Sequence, residues 1–88
     1  MKIRQGFVLR EVMGETMAVA TGEASRTFHG MIKLNATATQ LWKWLQEDIT
    51  ETALVERLCA EYDVDEETAA KHVGAFVSKL RTEGFLEE

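Results

Sequence analysis

Proline is absent from this 88-residue sequence, cysteine occurs once (Cys59), and histidine occurs only at His29 and His72. Nor is there an unbroken run of eighteen apolar residues. Each shortage excludes something. A lone cysteine cannot close an internal disulfide, and it fits a reducing, cytoplasmic compartment. A structural zinc site wants four sulfur or imidazole ligands in close pairs, so three scattered side chains lead us to expect no metal. The apolar segments are too short for a membrane-spanning helix, and the opening Met1-Lys2-Ile3-Arg4-Gln5-Gly6 lacks the apolar stretch of a signal peptide. No low-complexity tract or Gly/Ser linker interrupts the chain, so residues 1–88 are expected to form one domain. No serine or cysteine motif with a plausible base and no glycine-rich phosphate loop is visible. The chain is therefore expected to be neither an enzyme nor the holder of a cofactor, with no catalytic residue.

The charge is unevenly placed. Residues 1–46 carry six basic and three acidic side chains, net +3, whereas residues 47–88 carry four basic and twelve acidic ones, net −8. Nucleic-acid binding needs a basic stripe that neutralises phosphates. The half that would supply a DNA-reading helix is the acidic half, so nucleic acid is not an expected partner.

The patterning changes near residue 35, and it points to an α+β domain. Phe7-Val8-Leu9-Arg10-Glu11-Val12-Met13 is rich in apolar and β-branched residues, Gly14-Glu15 fits a two-residue hairpin turn, and 16–20 fits the return strand with Met17 and Val19 on one face. Residues 21–27 fit a polar loop. A third strand is expected over 28–34, with Gly30 marking a bulge or a close backbone approach. Three helices follow, over about 36–46, 51–61 and 66–83. Asn35, Thr50 and Asp65 are their N-caps, because a side-chain oxygen there accepts from the free N–H groups of the first turn. Ala38, Leu41, Trp42 and Leu45 recur at helical spacing in the first, and Leu54, Val55 and Leu58 in the second. Ala69, Val73, Phe76, Val77 and Leu80 do so in the third, which ends at Gly84. Of the two tryptophans, Trp42 is expected inside and Trp44 at the rim. Asp63, Asp65, Glu66 and Glu67 are read as a solvated helix start lying at the positive end of the helix dipole, and Cys59 as a small packing residue.

Several stretches, in this order and spacing, resemble the family of pyrroloquinoline quinone synthesis protein D, also called RiPP recognition elements (domains that serve ribosomally made, post-translationally modified peptides). They are Phe7-Val8-Leu9-Arg10-Glu11-Val12 with Gly14, and Ile32-Lys33-Leu34-Asn35-Ala36-Thr37-Ala38 leading into Leu41-Trp42 and Leu45. Leu54-Val55, Leu58 and Tyr62-Asp63-Val64-Asp65 follow, then Val73, Phe76-Val77 and Leu80 before Gly84-Phe85-Leu86. The resemblance implies a winged-helix-like fold: a three-stranded antiparallel sheet followed by a three-helix bundle. It implies a domain without catalytic activity that binds the leader segment of a precursor peptide as an added strand. That strand would lie in the groove between the third strand and third helix, presented to a modifying enzyme such as a radical SAM protein. The residues expected at the groove are Phe28, Met31, Ile32, Lys33 and Leu34 of the strand, and His72, Val73, Phe76, Val77, Lys79 and Leu80 of the helix. Spacing alone would place Val73, Phe76, Val77 and Leu80 in the core. Two other readings remain open at this level: a winged-helix regulator that binds nucleic acid, and a structural accessory subunit that docks permanently on an enzyme or forms a homodimer through the same edge. The chain is expected to be a monomer or weak homodimer. The third helix carries Lys71, Lys79 and Arg81 against Glu66, Glu67 and Glu83, which weighs against the first.

Overall fold

The computed structural model describes residues 1–22 and 31–87. The elements run β1 (Lys2–Ile3), β2 (Phe7–Val12), β3 (Glu15–Ala20), β4 (Met31–Leu34), α1 (Ala36–Trp44), α2 (Glu51–Glu61), α3 (Glu66–Glu83) and β5 (Leu86–Glu87). Strands β2, β3 and β4 form an antiparallel sheet in that order, and β1 pairs with β5 in a separate two-stranded ribbon. The expected α+β architecture, three strands and then three helices, is the one observed. Phe28, His29, Gly30 and the greater part of the expected polar loop lie outside the described residues.

The β2–β3 turn is one residue earlier than the sequence suggests. Val12 pairs with Glu15, so the turn is Met13-Gly14, with φ of 53° and 80°. Two consecutive positive φ values define a type I′ turn, whose twist matches that of the flanking strands. Glu15 is thereby the first residue of β3. That register turns Ala18 inward, wholly buried, opposite Leu9 and Ile32. Met17 and Val19 do share a face, but it is the one turned away from the helices.

All three helix caps are formed as expected: the Ala38 N–H donates to Asn35 Oδ1 (2.8 Å), the Ala53 N–H to Thr50 Oγ1 (3.1 Å) and the Thr68 N–H to Asp65 Oδ1 (2.7 Å). Helix α1 ends at Trp44 rather than 46, because Leu45 leaves the helical conformation while its N–H still reaches the Leu41 carbonyl. Helix α3 ends at Gly84 (φ 82°), whose N–H donates to the Arg81 carbonyl while that of Phe85 reaches back to Leu80. This pair of bonds is a Schellman motif, and Leu80 and Phe85, both buried, supply its accompanying apolar contact.

One core serves both layers. Trp42 is 2% exposed and Trp44 half-buried, the division expected for the two rings. Phe85 packs against Phe7 and Trp42, with ring centroids 4.5 and 5.7 Å apart. The strand β1 is tied in from three sides: the Ile3 N–H donates to Leu45, that of Arg4 to Phe85, and that of Ile49 to Met1.

Two outcomes test these contacts. Gly84→Ala should cost about 1–2 kcal/mol, the penalty of a Cβ in the left-handed region, and thermal unfolding would read it as a lower midpoint. Asp65 accepts from the Thr68 side chain and backbone, which holds its carboxyl below the ordinary value of 3.8. Its folded pKa is depressed, so the stabilisation is present above that ordinary value and is lost as pH falls through the folded pKa. Thermal melts should show Asp65→Ala less stable than wild type at neutral pH, with the gap closing in strong acid.

Candidate functional site

Strand β4 ends the three-stranded sheet, and among the described residues no other strand pairs with its free edge. Its backbone N–H and C=O groups on that side are open to an added chain. Beside the edge lies a groove of about 310 Å³, walled by Ile32, Lys33, Leu34 and Asn35 on one side and by His72, Ala75, Phe76 and Lys79 on the other. Thr37, Ala38 and Leu41 of α1 close its end.

The helical wall has a simple origin. Positions 72, 75, 76 and 79 recur at the three- and four-residue steps that place side chains on one stripe of a helix. The adjacent stripe, Ala69, Val73, Val77 and Leu80, is 0–1% exposed. Val73, Val77 and Leu80, expected at the groove, therefore lie in the core beneath it and are absent from its lining. Phe76 sits on the seam between the two stripes, half-buried and packed against the core while facing the groove. On β4 the period of two separates the remaining expectations: Leu34 is buried, Ile32 half-buried, and Met31 61% exposed and outside the lining. Phe28 cannot be placed, being outside the described residues. Ile32, Lys33, Leu34, His72, Phe76 and Lys79 do come together around one groove. The sequence reading missed Asn35, Thr37, Ala38, Leu41 and Ala75. The α1 contribution was detectable, since an N-cap at Asn35 directly after β4 forces the first turn of α1 to face the same space.

The groove is apolar at its base, with His72 and Lys79 on its helical wall, while Lys33 lines the strand side and turns its side chain to the outer face of the sheet. Lys33 makes an exposed ion pair with Glu15 across the sheet (3.3 Å). A pair this exposed contributes little to stability and leaves the ammonium easy to recruit. Among the described residues no cluster of three or more His, Cys, Asp or Glu side chains is placed to hold a metal ion, and no helix is long and apolar enough to cross a membrane.

An open sheet edge facing a half-apolar groove on a helix defines a peptide-binding type of module, built on a small sheet and three helices. The chain belongs to the family of coenzyme PQQ synthesis protein D, whose model matches residues 12–86. No curated protein matches it. Two solved structures share its fold over 99% of its length. One, described as TbiB1 in complex with the TbiA(beta) leader peptide, is 25% identical with a TM-score of 0.75 and 95% of its own chain covered. The other, a lasso peptide synthetase B1 complexed with the leader peptide, is 17% identical with a TM-score of 0.73 and 96% covered.

The split of α3 into two stripes yields a stability test. Leu80→Ala should cost about 2–5 kcal/mol, as large-to-small changes in a packed core do. Lys79→Ala, one residue away on the rim, should stay within about 0.5 kcal/mol. Urea unfolding of the two variants would measure both.

Proposed function

We propose that this chain binds an extended leader segment of a ribosomally made precursor peptide along β4 and presents it to a modifying enzyme, a radical SAM protein or one of similar role, without itself catalysing a reaction. The observation that carries this reading is the open β4 edge set across a groove from the α3 stripe of His72, Ala75, Phe76 and Lys79. The TbiB1 structure, solved with a leader peptide, supports it at 25% identity over the whole fold.

The direction and the anchoring follow from elementary energetics. The sheet is antiparallel throughout, and antiparallel pairing is the more stable per residue, so the peptide adds antiparallel to β4. A backbone hydrogen bond nets about 0.5–1.5 kcal/mol, while ordering each peptide residue costs about 1–2 kcal/mol. Backbone pairing therefore does not sustain the complex, and affinity depends on apolar side chains entering the groove against Ile32, Ala38 and Phe76. Lys79 on the helical wall favours an acidic residue flanking those anchors, and the Lys33 ammonium, on the outer face beside the β4 edge, adds a general attraction for acidic peptides. Such a peptide should bind with sub-micromolar to micromolar affinity. Lys33 contributes to attraction, whereas Phe76 and Lys79, across the groove, set which peptide is preferred.

Titrating the precursor's leader into labelled protein should shift the amide signals of residues 31–35 and 72–79. An unperturbed spectrum in both segments would sink the proposal. Ala75→Phe fills the groove from an exposed helical position and should weaken binding at least tenfold, about 1.4 kcal/mol, without lowering the melting temperature. Lys33→Ala should weaken binding less and leave peptide preference unchanged.

A further inference from the structure

The sheet has two faces, and the one away from the helices is unusually apolar. The strand register lines up Val8, Val19 and Met31 in one row across β2, β3 and β4, and Arg10, Met17 and Lys33 in the next. Val8 is 40% exposed, Val12 46% and Met31 61%, and Met13 at the hairpin tip is 98% exposed. Together these are four of the five large apolar residues that stand exposed among the described residues; the fifth is Tyr62. Single exposed apolar side chains are ordinary on a folded protein, and the largest contiguous apolar set on one face is the first candidate for a contact surface. Met13 adds a second oddity, because it holds a positive φ that glycine or asparagine would adopt more cheaply. The hairpin thus presents a large apolar side chain to solvent in a conformation that does not favour one.

We infer that this outer sheet face is the docking surface for the enzyme that acts on the peptide held at β4. The inference rests on the strand-addition reading given above. Strand β4 belongs to both surfaces: its edge faces the groove and its outward side chains, Met31 and Lys33, belong to the outer face. A peptide running antiparallel to β4 enters near Asn35 and leaves, toward its C-terminus, past Met31. The row Val8, Val19 and Met31 lies at that exit. An enzyme seated on this row receives the emerging segment with no long tether to span. The charges name the partner's chemistry. Among the described residues of this face, Arg10 and Lys33 stand beside the apolar row with Glu15 alone to balance them, so the complementary surface carries apolar side chains fringed by carboxylates.

A second copy of the chain fits this surface poorly. Stacking two such faces would bring Arg10 and Lys33 of one molecule against those of the other. The face is also small: strands of six, six and four residues, spaced about 4.8 Å with a rise of about 3.3 Å per residue, cover roughly 300 Å². A standard interface buries about 800 Å² per partner. The enzyme contact therefore depends on the bound peptide for the rest of its area, and it forms with the loaded domain in preference to the empty one.

The test uses the cells that make the protein. A photo-crosslinking amino acid is placed at position 8 and, as a control, at position 57 on α2, and the adducts are identified by mass spectrometry. In parallel, Val8→Lys and the shape-conserving Val8→Thr replace the wild type, the modified peptide is quantified, and affinity for the leader is measured on the purified variants. The expected result is a position-8 adduct with an enzyme that modifies or cleaves the peptide. Val8→Lys should also lower product at least tenfold while leader affinity stays within twofold, and Val8→Thr should have a smaller effect. A position-8 adduct with a second copy of the chain, with the peptide alone or with nothing would overturn the inference, as would full product from Val8→Lys. Should no leader shift the β4 amides in the first place, the strand-addition reading fails. If the leader binds and only the Val8 results are negative, the docking surface alone is wrong.

Discussion

The contact among Phe7, Trp42 and Phe85 fixes the geometry on which the groove depends. One ring comes from the first long strand, one from the first helix and one from two residues beyond the last helix, and all three centroids lie within 6.5 Å of one another. Aromatic pairs in tilted or edge-on arrangement add about 0.5–1.5 kcal/mol to the apolar area they bury. Their positional effect matters more here. Phe85 is placed by the Schellman turn at Gly84, so the carboxyl end of α3 is pinned to the sheet and to α1 together. The β1–β5 ribbon flanks that anchor and ties it to the end of α1 through Leu45. With one end of α3 held by rings and its inner stripe held by Leu54 and Leu58 of α2, the outer stripe stands at a set distance from β4. A peptide site of this kind needs such a set width, because a groove that collapsed or widened would lose contact with the anchoring side chains.

The fold was legible wherever one residue sufficed to decide a boundary. Asn35, Thr50 and Asp65 each mark a helix start because only a short polar side chain there can reach the free N–H groups, and Gly84 marks a stop because its backbone is left-handed. The β2–β3 turn was misread by one residue, since Gly14 fits either position of a two-residue turn. Only the pairing of Val12 with Glu15 shows that Met13 shares the positive φ. The β1 and β5 strands, two residues each, were beyond sequence reasoning. Two residues establish no period, and their pairing joins the ends of the described chain, a separation that no local pattern reports. The end of α1 was set by Leu45, which is apolar at the right spacing and wholly buried, yet already outside the helix.

The site is legible in part, and on α3 the limit has one cause. A helix that serves two surfaces has two adjoining apolar stripes, and hydrophobic periodicity merges them into one. Spacing places Val73, Val77 and Leu80 with Phe76 in the core, and the resemblance places all four at the groove, although only Phe76 reaches both. Ala75 escaped notice because alanine signals neither burial nor binding, yet its small size is what leaves the groove open between His72 and Lys79. On β4 the alternation of side chains was read correctly for Ile32 and Leu34. The resemblance puts Met31 at the groove, whereas the period of two places it on the outer face.

That alternation divides the work of β4 among three directions. Its inward side chains, Ile32 and Leu34, hold the strand on the core. Its outward side chains, Met31 and Lys33, are spent on neither the core nor the added strand's backbone. Its free edge supplies hydrogen-bonding groups that any extended peptide can use, whatever its sequence. Selectivity cannot originate in such an edge, because backbone groups are the same in every peptide. It has to come from side chains that project across the groove, and the α3 stripe at 72, 75, 76 and 79 is the surface opposite. In the proposed complex a four-residue strand is consequently enough: it sets direction and register, while the helix reads identity. Lengthening β4 would add sequence-independent attraction and would weaken the discrimination between one precursor peptide and any other extended chain.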